Sequence, residues 1–166
     1  NSIVEDCILY YTYGDNDAID YDGVFNGIIR NNILYGGEDD GLDIGRINST
    51  SCRDVHLEGN IIYNFVDKGI SIGEGSQDIN ISYNTITTSR MGIAVKDSST
   101  SIIDHNTLYN NTFGVSCYEK NYGDGGGIAS INNTIISQSI ISTIDADNTS
   151  EIDINYSLSD VVLMSG

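Results

Sequence analysis

Two aspartate-rich segments carry the residues with the clearest capacity for chemistry. They read DNDAIDYD at 15–22 and EDDGLDIG at 38–45. Carboxylate oxygens are ligands that calcium prefers, so the segments predict a Ca²⁺ site if the fold brings them together. The alternative is that the aspartates cap turns and point into solvent, where water screens their repulsion. The candidate metal ligands are Asp15, Asp17, Asp20, Asp39, Asp40 and Asp43.

Basic residues that follow the aspartates along the chain are candidate catalytic groups. Lys68 and Lys96 could each act as a general base, because a lysine flanked by a metal ion and carboxylates can have a shifted pKa. Arg46 and Arg90 could bind the carboxylate of an acidic sugar through paired hydrogen bonds. The alternative for Lys68 is a simple salt bridge to the preceding aspartate column, which contributes little stability when exposed.

A further group of polar residues could line a groove beside the lysines. A long groove with acids, lysines and an exposed tyrosine suits an extended oligosaccharide better than a compact metabolite. Ordinary solvated loop charge is the alternative interpretation. The candidate substrate-binding residues are Ser71, Glu74, Asp97, Tyr118, Glu119 and Lys120.

A repeated apolar-x-x-Asn-x-apolar phrase identifies the scaffold that must position these residues. Copies of such a phrase stack in a solenoid. With INYSLSD at 154–160 as a degraded copy, the pattern predicts a parallel β-helix of about seven coils. Asparagines stacked at the fourth position could satisfy backbone groups that a bend leaves unpaired. The predicted column consists of Cys7, Asn32, Asn60, Asn84, Asn106 and Asn133.

A second phrase follows each of the first five copies and predicts another strand in each coil. Because side chains alternate along a strand, each copy should contribute two inward residues. The first inward column is Ile19, Leu42, Ile70, Ile93 and Val115. The second inward column is Tyr21, Ile44, Ile72, Val95 and Cys117. A small residue opens each strand, which suits a sharp corner or a close backbone approach.

The outward positions of this second strand change character along the stack. Coils lie about 4.8 Å apart, so Asp20 should lie beside Asp43, and Asp17 beside Asp40. The later coils replace this acid with lysine, serine and small residues, beginning at Lys68. Like charges directly opposite destabilise a sheet unless a cation neutralises them. The change from acid to base therefore locates the candidate site.

Composition favours an all-β protein and narrows its partners. The chain has 166 residues, 18 glycines and no proline, and it is long enough for a single domain over residues 1–166. Its formal net charge of −17 would repel phosphate backbones, so no nucleic-acid partner is expected. No apolar run approaches the roughly 18 residues needed to cross a bilayer, so no membrane insertion is expected. The sequence does not indicate an oligomeric state.

The cysteines and histidines lack the spacing of a metal site. All three cysteines, Cys7, Cys52 and Cys117, are interpreted as packing residues, and two of them fall where the repeat requires a small buried residue. His56 and His105 lie in separate coils and are expected at surface or turn positions. Both ends of a solenoid expose unpaired strands, so further coils or a cap are expected beyond this segment.

The repeated N-x-I and G-I-x-I phrases resemble the right-handed parallel β-helix superfamily of secreted pectate lyases, alginate-processing enzymes and phage tailspikes. This resemblance covers nearly the whole chain and implies a secreted or cell-surface location. Locally, EDDGLDIG preceded by DNDAIDYD resembles the calcium-binding aspartate cluster of family-nine pectate lyases. It implies that Asp39, Asp40 and Asp43 match the DD-x-x-D pattern of that cluster, with Asp15 or Asp17 as the ligand from the preceding coil.

The same resemblance implies a lysine as Brønsted base, but the spacing departs from the family. There the lysine falls well over a coil after the aspartate cluster, whereas here Lys68 lies one coil on and Lys96 two. The chain also resembles β-helix regions of large multidomain surface proteins, which implies an adhesive or structural role.

Together, the residues and the resemblance predict a secreted protein active on an acidic polysaccharide, by a calcium-assisted lyase reaction. Asp17, Asp20, Asp40 and Asp43 would hold the ion, and a lysine would remove the C5 proton of a uronate. The alternative is a noncatalytic stalk or carbohydrate-binding module, in which the acidic coils bind calcium only for stability.

Overall fold

Three parallel β-sheets surround one core in the computed structural model, which describes residues 2–159. The first sheet contains β1 (Ser2–Glu5), β4 (Phe25–Arg30), β8 (Arg53–Glu58), β11 (Gln77–Ser82), β14 (Thr100–Asp104), β17 (Ile128–Asn132) and β20 (Glu151–Asn155). The second sheet contains β2 (Ile8–Tyr10), β5 (Ile33–Gly37), β9 (Ile61–Phe65), β12 (Thr85–Thr87), β15 (Thr107–Tyr109), β18 (Ile135–Ser137) and β21 (Leu158–Ser159). The third sheet contains β3 (Ile19–Asp22), β6 (Leu42–Ile47), β10 (Lys68–Ile72), β13 (Met91–Lys96), β16 (Phe113–Tyr118) and β19 (Ser142–Ala146).

Each strand pairs in parallel with the strand one coil later, which makes the fold a β-solenoid of about seven turns. A short strand, β7 (Thr50–Ser51), pairs antiparallel with the end of β6 and forms the one hairpin of the described residues. The predicted all-β class and coil number are confirmed. Asp160, the last residue of the degraded seventh copy, lies outside the described residues.

The two predicted inward columns of the third sheet are confirmed. Leu42 pairs with Ile70, and Ile44 with Ile72, and all four side chains are fully buried. The same alignment continues through β13 and β16. This strict alternation fixes which residues of the third sheet face outward, and so it positions the candidate site.

An asparagine ladder runs along the bend between the first and second sheets. Each side-chain amide donates to the next asparagine, with Nδ2–Oδ1 distances of 3.0 Å from Asn32 to Asn60, 2.9 Å from Asn60 to Asn84 and 3.0 Å from Asn84 to Asn106. Each Oδ1 also accepts a backbone amide of the preceding coil, beginning with that of Cys7. The ladder therefore satisfies groups that the bend would otherwise leave unpaired.

The predicted place of Asn133 in this ladder is wrong by one residue. Ile131 pairs with Ile103, so the fourth position of that copy is Thr134. Thr134 Oγ1 accepts the amide of Asn106 at 3.3 Å, while Asn133 is exposed and has a φ of 47°. Asparagine tolerates this left-handed backbone better than most residues.

Glycine opens the third-sheet strands because the chain there passes close to the next coil. A Cβ on Gly92 would lie 2.7 Å from the carbonyl oxygen of Gly114 and 2.9 Å from a methyl carbon of Leu108. The same contact recurs at Gly41 and Gly69, each facing the carbonyl of the next glycine in the column. These positions confirm the predicted close backbone approach.

The cysteines and histidines occupy structural positions, with one difference from expectation. Cys52 and Cys117 are buried as predicted, whereas Cys7 is exposed because its coil has a neighbouring coil on one side only among the described residues. The side chains of His56 and His105 are about half exposed. Within residues 2–159 no helix has the length and apolarity of a membrane span.

Candidate functional site

The predicted site lies on the outer face of the third sheet. Asp20, Asp43 and Ser71 are successive register neighbours across β3, β6 and β10. The next outward residues along this column, Ala94 and Ser116, are fully buried, so side chains cover the face above them. The alignment of acid in the first two coils is confirmed.

The corner residues before these strands stack in the same way. The amide of Asp40 donates to Asp17 Oδ1 at 3.0 Å, and the amide of Lys68 donates to Asp40 Oδ1 at 2.9 Å. Each corner carboxylate therefore caps the corner of the following coil. The corner column places Asp17, Asp40 and Lys68 in one line beside the outward aspartates.

Two sets of carboxylates are close enough to share a cation. One set is Asp17, Asp20 and Asp43, and the other is Asp17, Asp39 and Asp40; within each set, one oxygen of every residue lies within 4.8 Å of the others. All the donors are carboxylate oxygens, which suits calcium. Asp17 belongs to both sets.

Asp15, the sixth predicted ligand, is exposed and belongs to neither set of described residues. Asp22 was not among the predicted ligands, yet it lies close enough to Asp20 to influence its titration. Burial, followed by the charges of Asp22 and Asp43, raises the pKa of Asp20. Asp22 is the next outward residue of the same strand, so the two-residue alternation could have found it.

Asp17 has a strongly raised pKa. Burial first, and then the negative charge of Asp43, raise its pKa to about 7, although the hydrogen bond from the Asp40 amide lowers it. Negative charge is therefore unfavourable at this point, and a bound cation would relieve it.

Lys68 is the buried centre of a charge-balanced array. Its Nζ lies 3.1 Å and 3.2 Å from the two carboxylate oxygens of Asp40, and it also donates to Asp67. Asp67 in turn accepts hydrogen bonds from Arg90. Burial alone would lower the pKa of Lys68, but Asp40 and Asp67 together raise it to about 12. Lys68 is thus held as an ammonium ion.

Lys96 has a different environment, although it is equally buried. Its side chain is 4% exposed, and its Nζ donates to the hydroxyl of Ser71 at 2.8 Å. No carboxylate of the described residues lies within 4.0 Å of this amine, so it has no ion-pair partner. Burial, reinforced by the positive charges of Lys68 and Lys120 and opposed by Asp43, lowers the pKa of Lys96.

A cavity of about 190 Å³ joins the acidic cluster to Lys96. It brings together seven of the sixteen residues predicted for the site: Asp20, Asp43, Arg46, Glu74, Lys96, Asp97 and Lys120. The backbone of Gly73 forms part of its wall, where a Cβ would lie 3.1 Å from Lys96 Cε.

Two predicted residues are positioned by hydrogen bonds within the protein. The amide of Arg46 donates to Glu74 Oε2 at 3.0 Å, which fixes the Glu74 carboxylate at the cavity rim. Asp97 is 2% exposed, and its carboxylate accepts the amides of Lys120 and Asn121 at 2.7 Å and 2.8 Å. Asp97 therefore holds a loop at the cavity edge.

The remaining predicted residues lie outside the cavity. Arg90 faces the corner between the second and third sheets, where it binds Asp67. Burial raises the pKa of Tyr118, and the charges of Lys68 and Asp67 also act on it, which places its hydroxyl near the ion array. Glu119 accepts the amides of Gly123 and Gly125 within its own loop.

Asp67 is, like Asp22, a residue of the candidate site that was not predicted from the sequence. It directly precedes Lys68, and the amide of Met91 donates to its carbonyl, so Arg90 stacks one coil away. The register of the repeat could have revealed this Asp67–Arg90 column. It was obscured because Asp67 falls outside the phrase KGISIG at 68–73 that defines the strand.

The chain matches a known protein family and is similar to several solved structures. The family described as "Right handed beta helix region" matches residues 1–157. Among solved structures, the periplasmic alginate epimerase AlgG superposes with a TM-score of 0.71 and 16% identity, over 96% of this chain and 39% of that chain. The A-module of the Azotobacter vinelandii mannuronan C-5 epimerase AlgE4 superposes with a TM-score of 0.64 and 16% identity, over 94% and 53%.

The catalytic unit of a thermostable GH87 α-1,3-glucanase from Streptomyces thermodiastaticus is a third similar structure. Its TM-score is 0.65 at 16% identity, over 96% of this chain and 46% of that chain. By their names, all three of these β-helix proteins act on polysaccharides. The chain spans about half the length of these structures or less, and at such low identity the likeness shows the fold.

Proposed function

Because the chain belongs to the family of right-handed β-helix proteins, we propose that it is a secreted or cell-surface protein. The outer face of its third sheet would act on a polysaccharide that contains uronic acids. The proposed reaction is a lyase-type elimination. A base removes the C5 proton of a uronate, a C4–C5 double bond forms as the C4–O bond to the next sugar breaks, and the leaving oxygen takes a proton from water. The polysaccharide activities in the names of AlgG, AlgE4 and the glucanase support a carbohydrate chain as the substrate.

The observation that carries the proposal is the burial of Lys96 beside the cavity, with a hydroxyl and no carboxylate as its partner among the described residues. A buried ammonium ion without a counterion is costly, so burial favours the neutral amine. A neutral amine has a lone pair that can accept a proton, and Ser71 orients this amine beside the cavity. Lys96 is therefore the proposed general base.

Lys68, the other lysine considered, is less suited to that role. Its ammonium protons are engaged by Asp40 and Asp67, and a pKa of about 12 leaves it protonated at physiological pH. We assign Lys68 the role of holding Asp40 and Asp67 in place. Its positive charge also favours the neutral form of Lys96.

The carboxylates of Asp17, Asp20 and Asp43 would hold a calcium ion at the acidic end of the cavity. Asp40 is less available, because both its oxygens contact Lys68. When bound, the ion would neutralise the carboxylate of a uronate and so make the neighbouring C5 proton more acidic. Arg46, which lines the same cavity, could pair with that carboxylate through its guanidinium group.

A C5 epimerase is the second candidate, and the similarity to AlgG and AlgE4 favours it. Both reactions begin with removal of the C5 proton. An epimerase then returns a proton to the opposite face of the sugar, and the glycosidic bond stays intact. The same residues of this chain, Lys96 and Arg46, would serve the shared first step.

The test is incubation of the protein with pectate and with alginate, in D₂O with calcium. A lyase gives the ultraviolet absorbance of an unsaturated uronate. An epimerase gives deuterium at C5, seen by NMR, without that absorbance. Polysaccharide binding with neither signal would contradict both enzymes and leave the noncatalytic binding module.

A further inference from the structure

A rigid loop carries a fully exposed tyrosine beside the candidate site. The loop runs from 119 to 127 between β16 and β17, and Tyr122 lies near its tip. The side chain of Tyr122 is 102% exposed, so its ring packs against no other part of the described chain. An aromatic ring left wholly in water makes no contribution to the core of the fold.

Two carboxylates, the buried Asp97 and the half-buried Glu119, hold the loop on either side of Tyr122. The two oxygens of Asp97 accept the amides of Lys120 and Asn121 and the side-chain amide of Asn121, at 2.7 Å to 2.9 Å. Glu119 Oε1 accepts the amides of Gly123 and Gly125 at 2.9 Å and 2.8 Å. The backbone around Tyr122 is therefore fixed before any ligand arrives.

The ends of the loop are tied to neighbouring coils as well. The amide of Glu119 donates to Asp147 Oδ2 at 2.7 Å, and this bond is the main cause that lowers the pKa of Asp147 to about 2. The hydroxyl of Ser98 donates to the carbonyl of Asp124. Gly123 and Gly125 have φ values of 93° and 78°, which favour glycine and allow the tight path.

The position of the loop relates Tyr122 to the cavity. Lys120, two residues before it, lines the cavity that contains Lys96. Asp124, two residues after it, lines an adjoining cavity of about 200 Å³. The two cavities share Arg46, Glu74 and Asp97 in their walls, so they lie next to each other. Along the chain, Tyr122 therefore lies between a residue that lines one cavity and a residue that lines the other.

We propose that Tyr122 is a sugar-binding residue that stacks on a ring of the polysaccharide beyond the reacting unit. A tyrosine on a fixed backbone offers a large, rigid contact at low entropic cost, because only two side-chain torsions must be ordered. Its ring can pack on the apolar face of a sugar while its hydroxyl bonds a sugar hydroxyl. This inference rests on the proposed function for the polymeric nature of the ligand.

The test is binding of uronate disaccharides and hexasaccharides, and of matched neutral oligosaccharides, to the native chain and two variants by calorimetry. Tyr122→Ala should weaken hexasaccharide binding by up to about tenfold and leave disaccharide binding unchanged. Tyr156→Ala is the matched control, because Tyr156 is 94% exposed on a turn of the last described coil. It should change neither affinity.

Each outcome decides the proposal. An unchanged hexasaccharide affinity in Tyr122→Ala, an equal loss for short and long ligands, or an equal loss in Tyr156→Ala would overturn it. So would native protein that binds none of the oligosaccharides. Length-dependent loss on neutral sugars alone would uphold the role of Tyr122 while contradicting the proposed uronate substrate.

Discussion

Lys68 and Asp40 form a buried ion pair in which the lysine Nζ contacts both carboxylate oxygens, at 3.1 Å and 3.2 Å. The pair stands where the corner column changes from acid to base. Its members are Asp40, the most buried aspartate of the cluster, and Lys68, the first lysine after that cluster. Asp43 and Lys96 have fewer hydrogen bonds and ion pairs within the protein than Asp40 and Lys68 have.

Replacing Lys68 with methionine should lower the free energy of unfolding by about 3 kcal/mol or more, because Asp40 is left buried without its partner. This loss of stability should grow as the pH rises above the ordinary pKa range of an aspartate, because the buried Asp40 must then ionise without a partner. In the native chain, the stability linked to the raised pKa of Lys68 is complete below 10.5 and declines as pH rises through about 12. Urea unfolding at several pH values measures both effects.

The control is Arg53→Met, which removes an exposed pair with Asp78 at 3.9 Å. That change should cost less than about 1 kcal/mol. Equal effects of the two substitutions would show that the Lys68–Asp40 pair is not buried as described.

Replacing Asp17 with asparagine should stabilise the calcium-free protein near neutral pH. Because the folded pKa of Asp17 is raised from 3.8 to about 7, the native state binds its proton more tightly than the unfolded state does. Its contribution to stability is therefore complete below pH 3.8 and is lost as pH rises through about 7. Asparagine keeps the oxygen that accepts the Asp40 amide and has no charge to bury.

Thermal unfolding in chelator between pH 4 and 8 measures this effect. The native midpoint should fall across the interval by more than that of Asp17→Asn. Parallel curves for the two proteins would mean that Asp17 titrates as an ordinary exposed aspartate.

Calcium should raise the midpoint of thermal unfolding, because a ligand of the native state stabilises it by mass action. With free calcium at about 100 times its dissociation constant, the gain is about 2.7 kcal/mol. Asp43→Asn should abolish the rise. Asp153→Asn, which removes an exposed carboxylate from the first sheet, should keep it. A midpoint that is the same in calcium and in chelator would eliminate the metal site.

Replacing Asn84 with alanine should lower the free energy of unfolding by about 2 kcal/mol or more, because buried backbone groups lose their partners. The Asn84 side chain accepts the amide of Asn60 and donates to the carbonyl of Leu57. Asn133→Gly is the control, since Asn133 lies outside the ladder and glycine suits its positive φ. Chemical denaturation compares them, and similar losses would contradict the ladder.

The inward columns could be predicted from sequence because each third-sheet strand, from the one with Ile19 to the one with Cys117, has two buried residues separated by one outward residue. The asparagine column was less certain where two asparagines adjoin. In the copy at 130–136, two adjacent asparagines, Asn132 and Asn133, obscure the register of the phrase. The pairing of Ile131 with Ile103 shows that Thr134 occupies the fourth position of the phrase.

The contacts of the site could be predicted only in part. The stacking of Asp17 on Asp40 and of Asp20 on Asp43 follows from the repeat. The binding of Asp97 to loop amides does not, because the path of an inserted loop is not fixed by the coil period. Periodicity also does not show that Lys68 binds two carboxylates, whereas Lys96 binds the hydroxyl of Ser71.

Substitution of Lys96 tests the central claim most directly. Deuterium exchange at C5 of pectate and alginate should be compared for the native protein, Lys96→Met and the distant control Arg53→Met, all with calcium. We expect exchange in the native and control proteins and at least about a hundredfold less in Lys96→Met, with thermal stabilisation by calcium retained. Undiminished exchange in Lys96→Met, or none in the native protein, would contradict the assignment of Lys96 as the base.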